Sequence, residues 1–130
     1  MNCQRSLQGR KGQAALRELE AALLALPEKR LIAEHLEDAN GDVCTIGALA
    51  RFKGKITDEI KELGEYEMET VGERLGIPRM VAWKIVEITD IQLPGNFHHY
   101  NSPVSPEYRY EKVLAWVQSQ LSNSAREGRE

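Results

Sequence analysis

The sequence predicts a mainly α, compact single-domain bundle of short helices, and three observations lead there. Leucines recur at helical spacing near the N-terminus, prolines and glycines punctuate the chain at short intervals, and a serine–proline–acid start opens a long C-terminal amphipathic stretch. At 130 residues the chain is long enough to bury one core without staples. Its hydrophobic share of 42% and charged share of 28% place it with globular rather than disordered chains.

Residues 13–26 carry Leu16, Leu19, Leu23 and Leu26 on one stripe with Arg17, Glu18 and Glu20 outside it, and Pro27 ends that helix. Residues 1–12 are expected to be a flexible basic arm. Residues 27–39 are read first as a helix, with Pro27 at its start and Leu31, Ile32, Leu36 and Ala39 on one face. The alternative is a small two-stranded β-hairpin near residues 31–45, turning at Asn40-Gly41-Asp42. A short apolar helix over 45–52 stops at Lys53-Gly54. Residues 56–67 are charged and weakly periodic, fitting either a peripheral helix or a mobile connector. Two further short helices are expected over 70–75 and 78–88, separated at Gly76. Residues 91–104 read as a loop through Pro94-Gly95, Asn96, Asn101 and Pro103. Ser105-Pro106-Glu107 then caps a last helix to about Leu121, with Tyr110, Val113, Leu114, Val117 and Leu121 inward. The domain is thus expected over 13–121, with 122–130 as a flexible tail.

The net charge of −3 is unevenly spread. Residues 34–73 hold eleven acids against four bases, while residues 1–30 are net basic. An acidic middle discourages non-specific nucleic-acid binding, which needs clustered Lys and Arg. It suits a solvated face or a surface that meets a basic partner, with Asp58, Glu59, Glu62, Glu65 and Glu69 as candidate contacts. No apolar run approaches the roughly 20 residues of a bilayer span. The opening MNCQRSLQGRKGQ has no apolar signal stretch, so a cytoplasmic protein with no membrane association is expected. Cys3 and Cys44 belong to no CxxC unit, and both are expected as free thiols.

Residues 68–87 carry a helix-turn-helix pattern. Gly72 stands four before a turn glycine, Gly76, and Leu75, Ile77 and Ile85 fall at packing positions. Arg79 and Lys84 are the candidate DNA contacts. Against that reading, residues 77–88 are apolar on nearly all sides, as in a buried helix, and seven acids in 58–73 would crowd the phosphates. Cys44 at a helix start, with His98, His99 and Asp42 or Asp90, suggests a thiol nucleophile, whereas a buried cysteine is the simpler reading. His98 and His99 with Asp90 or His35 are too few and too scattered for a metal set. No complete catalytic, metal or cofactor motif is present, so no cofactor is expected and binding is favoured over chemistry. Phe97, His98, His99 and Tyr100 place aromatic and polar side chains together in the 91–104 loop, a composition typical of interface anchors.

The segment Gly41-Asp42-Val43-Cys44-Thr45-Ile46-Gly47-Ala48-Leu49 resembles a G-x-V-C-x-x-G-A-L signature of small uncharacterised accessory proteins of phage and prophage genomes. Val86-Glu87-Ile88-Thr89-Asp90 and the stretch from Ser105-Pro106-Glu107 to Trp116-Val117 look similar too, so the likeness spans about residues 27–121. This chain departs at Thr89-Asp90, where an asparagine–aspartate pair is expected, and in its longer 91–104 loop. The resemblance implies a non-enzymatic module that occupies a host protein, such as a nucleic-acid-binding defence complex of the CRISPR kind. An acidic patch can compete with nucleic acid for a basic channel.

Overall fold

The computed structural model describes residues 7–90 and 105–127, the last six of these by backbone alone. Among them the chain forms helices α1 (Arg10–Ala25), α2 (Thr45–Phe52), α3 (Asp58–Tyr66), α4 (Met68–Arg74), α5 (Arg79–Thr89) and α6 (Pro106–Glu127). The architecture is the small helical bundle that the sequence predicts.

The leucine stripe of α1 works as expected: Leu16, Leu19 and Leu23 are fully buried, with Ala15 and Ala22 beside them. The helix begins at Arg10, inside the stretch expected as a flexible arm, and Leu7 before it is buried too. Its C-terminal carbonyls are satisfied from outside the helix. Lys29 Nζ donates to the Leu24 and Leu26 carbonyls, and the Tyr110 hydroxyl donates to the Leu23 carbonyl at 2.9 Å.

Residues 27–44 are not the expected helix. Leu31 and Leu36 are both buried, but five residues apart they would stand about 140° around a helix. The backbone instead bonds to distant partners. Leu31 N donates to Pro106 O, Ile32 N to Val43 O and Cys44 N to Leu36 O. Of the alternative hairpin only one antiparallel bridge forms, Glu37 with Val43. Its turn is held by Asp38 Oδ1, which accepts from the Asn40 and Asp42 amides, and by Gly41 at φ +84°.

The segment delivers the chain to α2, the centre of the core, where every residue from Thr45 to Ala50 is buried. Cys44 caps it, its Sγ accepting from Gly47 N at 3.3 Å. α2 packs against α1 on one side and α4 and α5 on the other. The Thr45 and Thr89 hydroxyls meet at 2.6 Å, and Thr89 in turn donates to the Ile85 carbonyl, so both buried hydroxyls are satisfied.

α3 is a peripheral helix rather than a connector. Thr57 caps it by accepting from Ile60 N, and Asp58 and Glu59 sit at the positive end of its dipole. Only Gly64 is buried, while Ile60 and Leu63 are partly covered. The α4–α5 pair closes tightly, because a side chain at Gly72 would put its Cβ 2.8 Å from that of Ala82. α5 is not buried on all sides as its composition suggests. Val81, Ala82, Ile85 and Thr89 face inward, whereas Arg79 and Glu87 are exposed and Trp83 is 48% exposed. Ser105 caps α6 as expected, accepting from Tyr108 N, and Tyr110, Val113 and Val117 bury its inner stripe. That helix continues six residues past Leu121, to Glu127. Among the described residues no helix is long and apolar enough to cross a membrane.

Candidate functional site

Two depressions share one wall on the acidic side of the molecule. The first, about 260 Å3, lies where residue 34, the start of α2, the α3–α4 junction and the end of α5 converge. Its floor is formed by buried groups, the Cys44 thiol, Ile46, Gly64 and Thr89, with Val86 and Met68 partly covered beside them. Its rim carries four carboxylates, Glu34, Glu65, Glu69 and Asp90, together with Tyr66. The second, about 270 Å3 and shallower, is lined by Glu59, Glu62, Leu63, Arg74 and the other side of Tyr66. Tyr66 separates the two and is 82% exposed, the most exposed large hydrophobic side chain described.

The backbone explains the convergence. Glu67, between α3 and α4, has φ −144° and ψ 73°, which breaks the helix and presents Tyr66 and Glu69 on either side of the bend. Gly64 lets α3 lie against Leu36, where a Cβ would stand 3.4 Å from that of Leu36. Glu34 has φ +72°, a left-handed conformation that a non-glycine residue adopts at a cost of about 1 kcal/mol or more.

The electrostatics of the rim are those of crowded acids. Burial raises the Asp90 carboxyl above the usual carboxylate range, and the charges of Glu34 and Glu69 reinforce it. The Arg109 guanidinium and the Glu34 amide oppose that shift. Arg109 also donates to the Thr89 carbonyl. His35 Nδ1 lies 2.8 and 3.0 Å from the two Glu65 carboxylate oxygens, and this hydrogen bond raises the imidazole pKa.

The sequence-predicted contacts separate accordingly. Glu65 and Glu69 reach the first cleft, Glu59 and Glu62 the second, and Asp58 is exposed at the start of α3, in neither. Glu59 is paired with Arg74 at 3.2 Å. Phe97, His98, His99 and Tyr100 lie outside the described residues. Glu34 and Tyr66 are site residues that sequence reasoning missed. Tyr66 was visible as a lone aromatic in the Glu-rich run 59–69, whereas Glu34 is remote in sequence and carries no signal. The proposed DNA contacts are both neutralised, Arg79 by Glu73 and Lys84 by Glu87, each at 2.7 Å.

Cys44 does line the cleft with Asp90, but not as an activated thiol. Burial pushes its pKa up to about 11, against the amide hydrogen bonds of the α2 start, which act the other way. Asp42 is instead paired with Arg30 at 2.9 Å. With so little thiolate, Cys44 in a Cys3→Ser chain is expected to react with iodoacetamide near neutral pH on the order of a hundred-fold more slowly than a free thiol. Mass-spectrometric labelling kinetics measure this, and a rate equal to that of the urea-unfolded chain would refute the burial argument. Among the described residues no group of three or more His, Cys, Asp or Glu side chains is arranged to hold a metal ion. Compared with known proteins, the chain matches no family model, no curated protein and no solved structure.

Proposed function

We propose that this chain is a non-enzymatic protein–protein interaction module of phage or prophage type, which inhibits a host defence complex by covering a basic, nucleic-acid-binding surface with its acidic face. The observation that carries the reading is Tyr66, an 82% exposed aromatic flanked by carboxylates on both sides. A tyrosine ring at the surface offers apolar area beside polar groups, and aromatic anchors ringed by polar groups dominate binding energy at interfaces. The surrounding acids supply steering toward a basic partner and repulsion of nucleic acid. The phage-type origin rests on the Gly41–Leu49 likeness.

A second reading, a helix-turn-helix regulator over residues 68–87, has one feature in its favour, the tight Gly72–Ala82 crossing before a turn at Gly76 with φ +97°. The ion pairs on Arg79 and Lys84 weigh against it.

One experiment separates the two. The tagged chain and its Glu62→Ala/Glu65→Ala/Glu69→Ala variant are used to capture partners from bacterial lysate, with proteins and nucleic acids both identified. The acidic reading expects a basic protein whose recovery falls about ten-fold in the variant at physiological salt, with unchanged circular dichroism. Recovery insensitive to the three substitutions would overturn it. Sequence-selective duplex DNA in the captured material would favour the regulator.

A further inference from the structure

The first cleft combines features that an acidic surface alone does not have: a half-enclosed hollow, a mostly apolar floor and an aromatic edge. At about 260 Å3 it is smaller than the roughly 300–1,000 Å3 of sites for drug-sized ligands, and it suits one long side chain. Val86 and Met68 are only partly buried, so an aliphatic stem laid there would lose water on both surfaces, over a floor that Ile46, 1% exposed, already keeps dry. Against the four rim carboxylates the described neighbours supply Arg109, which sits beside Asp90 and also serves the Thr89 carbonyl, and the titratable His35. The cleft therefore keeps an excess of negative charge above an apolar floor.

That pairing of charge and apolar surface is complementary to an amphipathic cation. We infer that the first cleft is a docking pocket for a single arginine side chain of the partner protein, its methylene stem on Met68 and Val86 and its guanidinium among Glu69, Asp90 and the Tyr66 ring. Arginine fits better than lysine for two reasons. A planar, weakly hydrated guanidinium stacks on an aromatic face and pairs with carboxylates through two parallel hydrogen bonds. A lysine ammonium is a strongly hydrated point charge and gives up more on entering a partly buried site. The inference rests on the acidic-face reading and names the group that the face receives.

The test uses acetyl-arginine methylamide as the probe, with the neutral isostere acetyl-citrulline methylamide as its control, titrated into the 15N-labelled full chain. The arginine compound is expected to give saturable amide shifts at Gly64, Tyr66 and Asp90 with an affinity on the order of millimolar. Citrulline is expected to bind at least about five-fold more weakly, and Glu69→Gln/Asp90→Asn is expected to abolish the difference. Tyr66→Ala, at a site too exposed to affect folding, is expected to weaken arginine two- to five-fold and citrulline less. Equal binding of the two compounds, or shifts confined to other regions, overturns the pocket. The two readings fail separately. An arginine compound that ignores the cleft, with partner capture still lost in the triple glutamate variant, removes the pocket and leaves the acidic face. Specific arginine binding with partner capture unaffected removes the acidic-face reading.

Discussion

Gly47→Ala is expected to destabilise the domain by at least about 3 kcal/mol, with a fall in melting temperature of about 10 °C or more. The added Cβ would stand 2.1 Å from the Leu36 carbonyl oxygen, a backbone atom that no rotamer change can move. Relief requires shifting the 31–44 segment away from α2. The same oxygen accepts from Cys44 N at 3.1 Å, so moving it strands a buried amide and adds a desolvation penalty of roughly 1–3 kcal/mol. Gly64→Ala is the contrast. There the new methyl meets Leu36 Cβ at 3.4 Å, a contact close to ordinary packing, and the change is expected to stay within about 1 kcal/mol because alanine also favours the helix. Thermal unfolding followed by circular dichroism distinguishes them, and a Gly47→Ala chain that melts like the parent would refute the apposition of residue 36 and α2.

Leu49→Ala is expected to cost about 3–4 kcal/mol. Leu49 is fully buried in the helix that touches α1, α4 and α5, so the hole it leaves is walled by three elements that cannot all collapse into it. That loss is a large part of the roughly 5–15 kcal/mol that holds a domain together. Leu24→Ala, on the 52% exposed side of α1, is expected to change stability by no more than about 0.5 kcal/mol. Urea denaturation curves measure both. Equal midpoints for the two variants would remove α2 from the centre of the core.

The helices were legible where their signal is local. The α1 leucine stripe, the glycine stop after α2 and the Ser105 cap of α6 each act within a few residues, and each element stands where its pattern lies. Residues 27–44 were not legible as irregular chain. Leu31 and Leu36 are apolar enough to suggest a helical face, yet their backbone partners are Pro106 and the 43–44 segment, which no local pattern announces. α5 misled differently, since counting apolar residues overlooked that Trp83 stands on the side away from Val81, Ala82 and Ile85. Of the site, the carboxylates of the 58–69 run were visible as a charge block. The cleft was not, because Glu34, Cys44, Glu69 and Asp90 come from four separate stretches and meet only through tertiary packing.

The bond from Arg109 to the Thr89 carbonyl, with that from Leu31 N to Pro106 O, fastens both flanks of residues 91–104 to the body of the domain. The end of α5 and the start of α6 are thus cross-tied, one by a side chain on the neighbouring helix and the other by the amide of residue 31. Arg109 also sets its charge against Asp90, although among the described residues α6 contributes nothing to the lining of the cleft. A substitution at Arg109 would therefore be felt at the cleft from behind, through the last turn of α5, and α6 acts as a buttress to a site that it does not itself line.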